Sequence, residues 1–163
     1  MKKSIFTVLL GASLIALISG CSQQKEEVAA SDINVGIILG FTGPIESLTP
    51  TMASSAEMAF KEATDAGILN GSTLNPVRAD STCIDAAAAT SAAERLVTAD
   101  NVAAIMGADC SGVTTAIANN VAVPNGVTII SPSATSPALT TIEDKGFFFR
   151  TAPSDARQGQ VLA

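Results

Sequence analysis

Short apolar, β-branched runs alternate with helical segments along most of this chain, and this alternation constrains its fold more than any other feature. The first run, INVGIIL, is followed by the turn-forming sequence GFTGP. Alternation with short connections favours right-handed β-α-β units, and therefore an α/β fold with a parallel sheet and helices on both faces. Strands are predicted at residues 33–39, 74–79, 102–106, 127–130 and 147–149, and helices at about residues 49–66, 85–100 and 111–121.

Local signals mark two helix starts and one sheet edge. Thr49 stands before Pro50, so we expect Thr49 to cap a helix in which Pro50 is the first residue. Asp85 precedes the alanine-rich run AAAATSAAERLVTAD and suits a helix N-terminus. Pro76 lies inside the second predicted strand, which indicates an edge strand because a missing N–H does little harm there.

The first twenty residues have the pattern of a secretory signal peptide. Lys2 and Lys3 precede an uncharged apolar stretch, residues 5–18, and small residues lie directly before Cys21. A membrane-spanning anchor is the alternative, but this stretch is shorter than the roughly 20 residues that cross a bilayer. We therefore expect residues 1–20 to be a signal peptide and the mature protein to work outside the cytoplasm.

Composition excludes several classes of function. Without the signal, seven basic residues stand against fifteen acidic ones, a net charge of −8 that does not suit a nucleic-acid partner. The chain has no histidine, which excludes a histidine base, a histidine metal ligand and a Ser-His-Asp triad. Glycines in the first loop permit a tight turn but match neither a dinucleotide nor a phosphate loop. We therefore expect no cofactor, no metal and no enzymatic activity.

Two cysteines, Cys83 and Cys110, remain after the signal. In an oxidising, exported compartment an even pair favours a disulfide, which would stabilise the fold by roughly 3 to 4 kcal/mol on the chain-entropy account. Two buried thiols are the alternative that the cysteine count leaves open.

Polar loops follow the third and fourth predicted strands. Ligands of parallel α/β sheets bind beyond the carboxyl ends of the strands, which is where these loops lie. Ser111, in GADCSG, can cap the helix that begins there, and the free N–H groups of the same first turn can also face a carboxylate. The two interpretations can hold together. The loop SPSATSP is stiffened by two prolines, and in it Ser133 and Thr135 offer hydroxyls, while the Ser133 carbonyl can accept from an ammonium group.

From Asn34 onward the chain resembles the N-terminal part of a type I periplasmic binding protein, in the leucine/isoleucine/valine-binding group of ABC-transporter receptors. The resemblance is carried by VGIILGFTGP, the two cysteines after strands two and three, CSG at a helix start, ISPSATSPALT and FRTAPSDARQGQ. It covers nearly all of the mature chain but only about half of such a receptor. It implies the strand order 2-1-3-4-5, with residues 33–163 forming the N-terminal lobe and the second lobe missing.

The same resemblance implies the residues of the ligand site. It places the carboxylate and ammonium groups of an amino acid on Ser111, Ser133 and Thr135, with Ala134 between the last two. It also supports a bridge between Cys83 and Cys110. Leucine-binding members carry a tyrosine in the first loop, where this chain has Leu48 or a neighbour, and the family's acidic partner for the ammonium lies in the missing lobe. The identity of the amino acid therefore stays open.

The residues around Cys21 resemble the lipobox of bacterial lipoproteins, which implies acylation of Cys21 and a polar tether over residues 21–32. We therefore expect a lipid-anchored, extracytoplasmic substrate-binding component of an ABC transporter for branched-chain or other small amino acids. Its partners would be the ligand, the membrane and an ABC permease, and two lobes would close on the ligand. A ligand-sensing receptor domain coupled to a signalling partner is the alternative, although the lipobox favours transport.

Overall fold

A five-stranded parallel sheet forms the centre of the computed structural model, which describes residues 30–163. The predicted signal peptide, Cys21 and most of the tether lie outside these residues. The strands are β1 (Asp32–Leu39), β2 (Thr73–Asp80), β3 (Ala104–Gly107), β4 (Thr128–Ser131) and β5 (Phe148–Arg150). The sheet order is β2-β1-β3-β4-β5, so the predicted parallel sheet and its 2-1-3-4-5 order are confirmed.

Four α-helices connect or follow these strands. They are α1 (Thr49–Asp65), α2 (Ala86–Thr98), α3 (Ser111–Ile117) and α4 (Asp155–Leu162). A π-helical turn at Ala118–Ala122 extends α3, and a 3-10 turn at Pro137–Thr140 lies between β4 and β5. Within residues 30–163 no helix combines the length and the apolar character that crossing a bilayer requires.

The larger part of the core lies between one face of the sheet and helices α2 and α3. Ile38, Ile105 and Ile129 come from three neighbouring strands and are fully or almost fully buried. Leu96 of α2 and Ile117 of α3 pack against them and are fully buried as well. This packing holds the amino end of α3, and with it Ser111, at the carboxyl edge of the sheet.

The other face of the sheet packs on α1. Ile37 and Leu39 of β1 form a second buried cluster with Ala53, and Met52 and Phe60 cover its margin. The alternation of side chains along β1 divides its residues between the two clusters, as expected for a strand buried on both faces.

The predicted Thr49 cap is wrong. Leu48 is the N-cap of α1, Thr49 is the first helical residue, and no side chain caps the helix. Thr49 is instead fully buried, and its hydroxyl donates to the carbonyl of Gly40 at 3.1 Å. The threonine therefore ties α1 to the loop after β1, because a buried hydroxyl needs a hydrogen-bond partner.

Two other local predictions are confirmed. Asp85 is the N-cap of α2, and its Oδ1 accepts hydrogen bonds from the N–H groups of Ala87 and Ala88 at 2.9 and 3.0 Å. Within residues 30–163, β2 is an edge strand whose one neighbour is β1, and its Pro76 lies opposite Val35. The proline therefore lies where a missing donor is tolerated.

Gly107 ends β3 at a point where only glycine fits. Its φ is +132°, and a Cβ atom there would lie 2.0 Å from the carbonyl oxygen of Ile38 in β1. A side chain is excluded both by the backbone conformation and by the lack of space. This close approach sets the path of the loop from β3 to α3.

We expect Gly107→Ala to lower the free energy of unfolding by about 3 kcal/mol or more, because β1 and β3 would have to separate. The measurement is urea unfolding followed by circular dichroism, since the chain has no tryptophan or tyrosine. Gly112→Ala is the matched control, because a Cβ at Gly112 meets nothing within 4 Å. Equal stability of the two variants would contradict the close approach.

Candidate functional site

The loops that follow β1, β2, β3 and β4 meet at the carboxyl edge of the sheet. Parallel strands all present this end at one edge, which is the usual place for ligands in such folds. The loops occupy residues 40–48, 81–85, 108–110 and 132–136. Contacts among them build the candidate site.

A disulfide joins Cys83, in the loop after β2, to Cys110, the N-cap of α3. The two strands lie on either side of β1, about 10 Å apart by normal strand spacing. The two Cα atoms are only 5.2 Å apart, so the loops lean over the end of β1 to meet. The bridge fixes the start of α3 directly beside Ser111.

Loss of the bridge should cost about 3.5 kcal/mol of stability, because it closes a segment with a sequence separation of 27 residues. A Cys83→Ala/Cys110→Ala double variant should show this loss in urea unfolding relative to the parent chain. As an independent check, thiols are counted in the denatured, unreduced chain in a Cys21→Ser background. Two reactive thiols per chain, instead of none, would contradict the bridge.

Ser111 lies at the first position of α3, but its side chain does not cap that helix. Its Oγ accepts hydrogen bonds from the backbone N–H groups of Thr135, at 3.2 Å, and Ser136, at 3.1 Å. The helix-capping interpretation is therefore wrong. Because a hydroxyl accepts two hydrogen bonds and donates one, the O–H of Ser111 keeps its capacity to donate.

The loop after β4 is held to the loop after β3 by its serines. Ser131 is fully buried, accepts from the N–H of Ala134 at 3.0 Å and donates to the carbonyl of Ala108. Ser133 donates to the carbonyl of Asp109 at 3.0 Å. The hydroxyls of both serines therefore hold the loop in place. The proton of the Ser133 hydroxyl is used for the bond to Asp109, whereas the sequence suggests that this hydroxyl contacts a ligand.

Arg150, at the end of β5, supports the same loop. Its guanidinium donates to the carbonyls of Ala134, at 3.4 Å, and Ser136, at 2.8 Å, and to the hydroxyl of Thr140 at 2.6 Å. Ala134 is fully buried, and both its N–H and its carbonyl are paired within the structure. The backbone at Ala134 is thus held by Ser131 on its N–H and by Arg150 on its carbonyl.

Thr135 connects the loop to α4. Its hydroxyl donates to the carboxylate of Asp155 at 2.9 Å, and its carbonyl accepts the N–H of the same residue. A cavity of about 340 Å³ opens beside it and is lined on the other side by α4, including Val161 and Leu162. Thr135 therefore stands between the hydroxyl of Ser111 and the first turn of α4.

Asp109 is absent from the residues that the sequence predicts for the site, yet it lies at the centre of the loops. Its side chain accepts from the N–H of Gly40 at 2.8 Å, the N–H of Cys110 at 2.9 Å and the hydroxyl of Ser81 at 3.3 Å. It is only 5% exposed. A signal existed in the sequence, since an acidic residue between an apolar strand and a predicted helix, close to the end of the strand, becomes buried only when it is paired.

Asp80, at the end of β2, links the loops after β1 and β2. Its carboxylate accepts from the N–H of Thr82 at 2.8 Å, and from the N–H of Thr42 at 3.3 Å and its hydroxyl at 2.5 Å. Burial raises the pKa of Asp80, but the hydrogen bonds from Thr42, Thr82 and the backbone of Phe41 together outweigh burial. The pKa of this carboxyl group therefore lies below its usual value of 3.8.

This shift predicts a contribution to acid stability. Because the pKa of Asp80 is lower in the folded state, its stabilisation is present above the unfolded-state value and is lost as the pH falls through the folded-state value. The unfolding free energy of the parent chain should therefore fall more steeply than that of Asp80→Asn between about pH 5 and pH 2. Urea unfolding across this range measures both slopes, and parallel curves would contradict the assignment.

Comparison with known proteins identifies the family. A family profile described as periplasmic binding protein matches residues 32–163. The chain belongs to the periplasmic binding protein family. The chain is 35% identical over 163 residues to the Leu/Ile/Val-binding protein homolog 1 of Brucella abortus, with 99% of this chain and 40% of that protein covered. It is 29% identical to the leucine-specific-binding protein of Salmonella typhimurium, with 100% and 41% covered.

Solved structures agree with this assignment. The branched-chain amino acid transporter substrate binding protein of Streptococcus pneumoniae, in complex with isoleucine, superposes with a TM-score of 0.68 at 30% identity. That match covers 77% of this chain and 35% of the Streptococcus chain. The predicted resemblance to the N-terminal part of a type I periplasmic binding protein is confirmed. The chain spans about two fifths of the length of the curated relatives it matches.

In this periplasmic binding protein the predicted site residues come together at the first residue of α3 and on the loop after β4. The backbone N–H of Thr135 donates to the Ser111 hydroxyl, and the Ser133 hydroxyl donates to the carbonyl of Asp109. Ala134, between Ser133 and Thr135 in the chain, is fully buried. Leu48, the residue suggested in place of a first-loop tyrosine, is 60% exposed at the same edge. The structure thus gathers these residues, and their contacts with a ligand stay a prediction.

Proposed function

We propose that this chain forms one side of an amino-acid cleft in the substrate-binding protein of an ABC transporter. The observation that carries the proposal is the hydrogen bonding of the Ser111 hydroxyl. Its oxygen accepts from two backbone N–H groups of the loop after β4, which leaves its proton for an acceptor outside the protein. The first N–H groups of α3 lack partners within the helix, so the same point favours a carboxylate.

The ammonium group of the ligand would lie on the loop after β4. Within residues 30–163 no hydrogen bond occupies the carbonyl of Ser133, whose hydroxyl is already committed to Asp109. The Thr135 hydroxyl donates to Asp155 and keeps its capacity to accept. Two oxygen acceptors therefore stand beside the carboxylate site, which is the arrangement that a zwitterion needs.

Exposed apolar side chains at the same edge suit an aliphatic ligand. Leu48 is 60% exposed in the loop after β1, and Ile84 is 75% exposed in the loop after β2. Large exposed apolar groups beside polar anchors are typical of ligand clefts. The names of the Brucella relative and the isoleucine complex of the Streptococcus protein support a branched-chain amino acid.

The transport role completes the proposal. Binding would take place outside the cytoplasm, with acylated Cys21 and residues 21–32 holding the protein at a membrane. A second lobe would close on the bound amino acid, and the closed receptor would deliver it to an ABC permease without covalent chemistry. Support comes from the family and from the names of its relatives.

We expect the 163-residue chain to bind L-leucine with a dissociation constant on the order of 1 mM, because one side of a cleft makes only part of the contacts. Ser111→Ala should weaken binding about tenfold through loss of a charge-assisted hydrogen bond. Thr135→Ala should weaken it less, and Thr135→Ser should restore it. The measurement is a titration of backbone amide signals by nuclear magnetic resonance.

Ser55→Ala is the matched control, since that exposed serine donates only to a carbonyl within α1. Binding at micromolar concentrations would contradict a requirement for a second lobe. If L-leucine, L-isoleucine and L-valine at tens of millimolar leave the amide signals of Ser111, Gly112 and Thr135 unchanged, the proposed site is wrong.

A further inference from the structure

A single residue, Asp109, makes hydrogen bonds with all the loops that surround the candidate cleft. Its carboxylate accepts from Gly40 in the loop after β1 and from Ser81 in the loop after β2. Its own backbone continues into Cys110 and α3, and its carbonyl accepts the hydroxyl of Ser133 from the loop after β4. The partners of the side chain lie 69 and 28 residues away in sequence.

The side chain of Asp109 is paired by hydrogen bonds, and within residues 30–163 no salt bridge includes it. In the described part of the chain the salt bridges join Lys61 to Asp65, Arg78 to Glu57 and Arg95 to Asp100. Burying a carboxylate is costly unless hydrogen bonds compensate, and removing it leaves the buried donors of Gly40 and Ser81 without their acceptor. Loss of the aspartate is therefore expected to loosen the arrangement of the loops as well as to lower the stability of the fold.

The hydrogen bonds of Asp109 determine where Ser111 lies. It follows Asp109 by two positions, and Cys110 between them is held by the disulfide to Cys83. With the carboxylate anchored on Gly40, the direction in which the chain enters α3 is set. The Ser111 oxygen then meets the N–H groups of Thr135 and Ser136.

We propose that Asp109 is a positioning residue of the ligand cleft. Its carboxylate holds the loops after β1 and β2 against the start of α3, and so keeps Ser111 in register with the loop after β4. The part of this inference that concerns ligand binding rests on the proposed function. The part that concerns the loops does not.

The first test is hydrogen exchange of backbone amides in the ligand-free 163-residue chain. Asp109→Leu keeps the volume of the side chain but removes its acceptors, so exchange at Gly40, Thr135 and Ser136 should become about tenfold faster. At Thr135 and Ser136, Asp109→Asn should stay within about threefold of the parent, because its amide oxygen can keep the hydrogen bonds from Ser81 and Cys110 and only the bond from Gly40 is lost. The melting temperature of Asp109→Leu should also fall, because buried donors lose their acceptor, so exchange at the loops is compared with exchange at the amides of β1 and β3 in the same chain.

Asp80→Leu is the matched control, since Asp80 joins the loops after β1 and β2 without touching the loop after β4. It should leave exchange at Thr135 and Ser136 unchanged. If leucine does not fit at position 109, Asp109→Ala tests the same contacts. Unchanged exchange at Thr135 and Ser136 in a folded Asp109→Leu or Asp109→Ala chain would overturn the proposal, and so would equal loosening in Asp109→Asn.

The second test is titration with L-leucine. Asp109→Leu should bind about tenfold more weakly than the parent, and Asp109→Asn should stay within about threefold of it. Equal binding by the parent and Asp109→Leu would overturn the positioning role and leave the proposed function intact. If the parent chain does not bind the probe, the proposed function fails, and hydrogen exchange alone decides whether Asp109 positions the loops.

Discussion

The bridge between Cys83 and Cys110 crosses the end of β1, and the rest of the candidate cleft depends on that crossing. The strands that precede the two bridged loops are two strand spacings apart, yet the bridge brings the Cα atoms of Cys83 and Cys110 to 5.2 Å. The start of α3 therefore has a fixed position, and Ser111 meets the loop after β4. Just before this point Gly107 lies against β1, where a side chain would collide with Ile38.

Most hydroxyl groups near the cleft stabilise the cleft itself. Ser131, Ser133 and Thr135 donate to Ala108, Asp109 and Asp155, and Thr49 donates to Gly40. What remains for the proposed ligand is the proton of Ser111, the accepting capacity of the Thr135 hydroxyl, and backbone N–H and carbonyl groups. Groups held in this way lose little freedom on binding, which is how a preorganised site gains affinity.

Hydrophobic periodicity predicted the five strands and the first three helices because each depends on a local repeat of apolar residues. The sequence places Asp85 at a helix N-terminus for a similar reason, and the structure makes it the N-cap, which contacts N–H groups two and three residues away. Thr49 and Ser111 have the same local appearance, but neither caps its helix. Their hydroxyls bond to groups that only the folded chain brings near: Gly40 for Thr49, and Thr135 and Ser136 for Ser111.

The sequence by itself therefore determined the alternation of strands and helices, the edge position of β2 and the two loops that carry the predicted ligand residues. These features follow from contacts over a few residues and from the geometry common to parallel sheets. The tertiary structure decided how the hydroxyls divide between holding the loops and facing a ligand, and it alone placed Asp109 among Gly40, Ser81 and Ser133. The physical reason is that these hydrogen bonds join residues tens of positions apart in the sequence. A local sequence pattern does not indicate which distant residue pairs with a buried polar group.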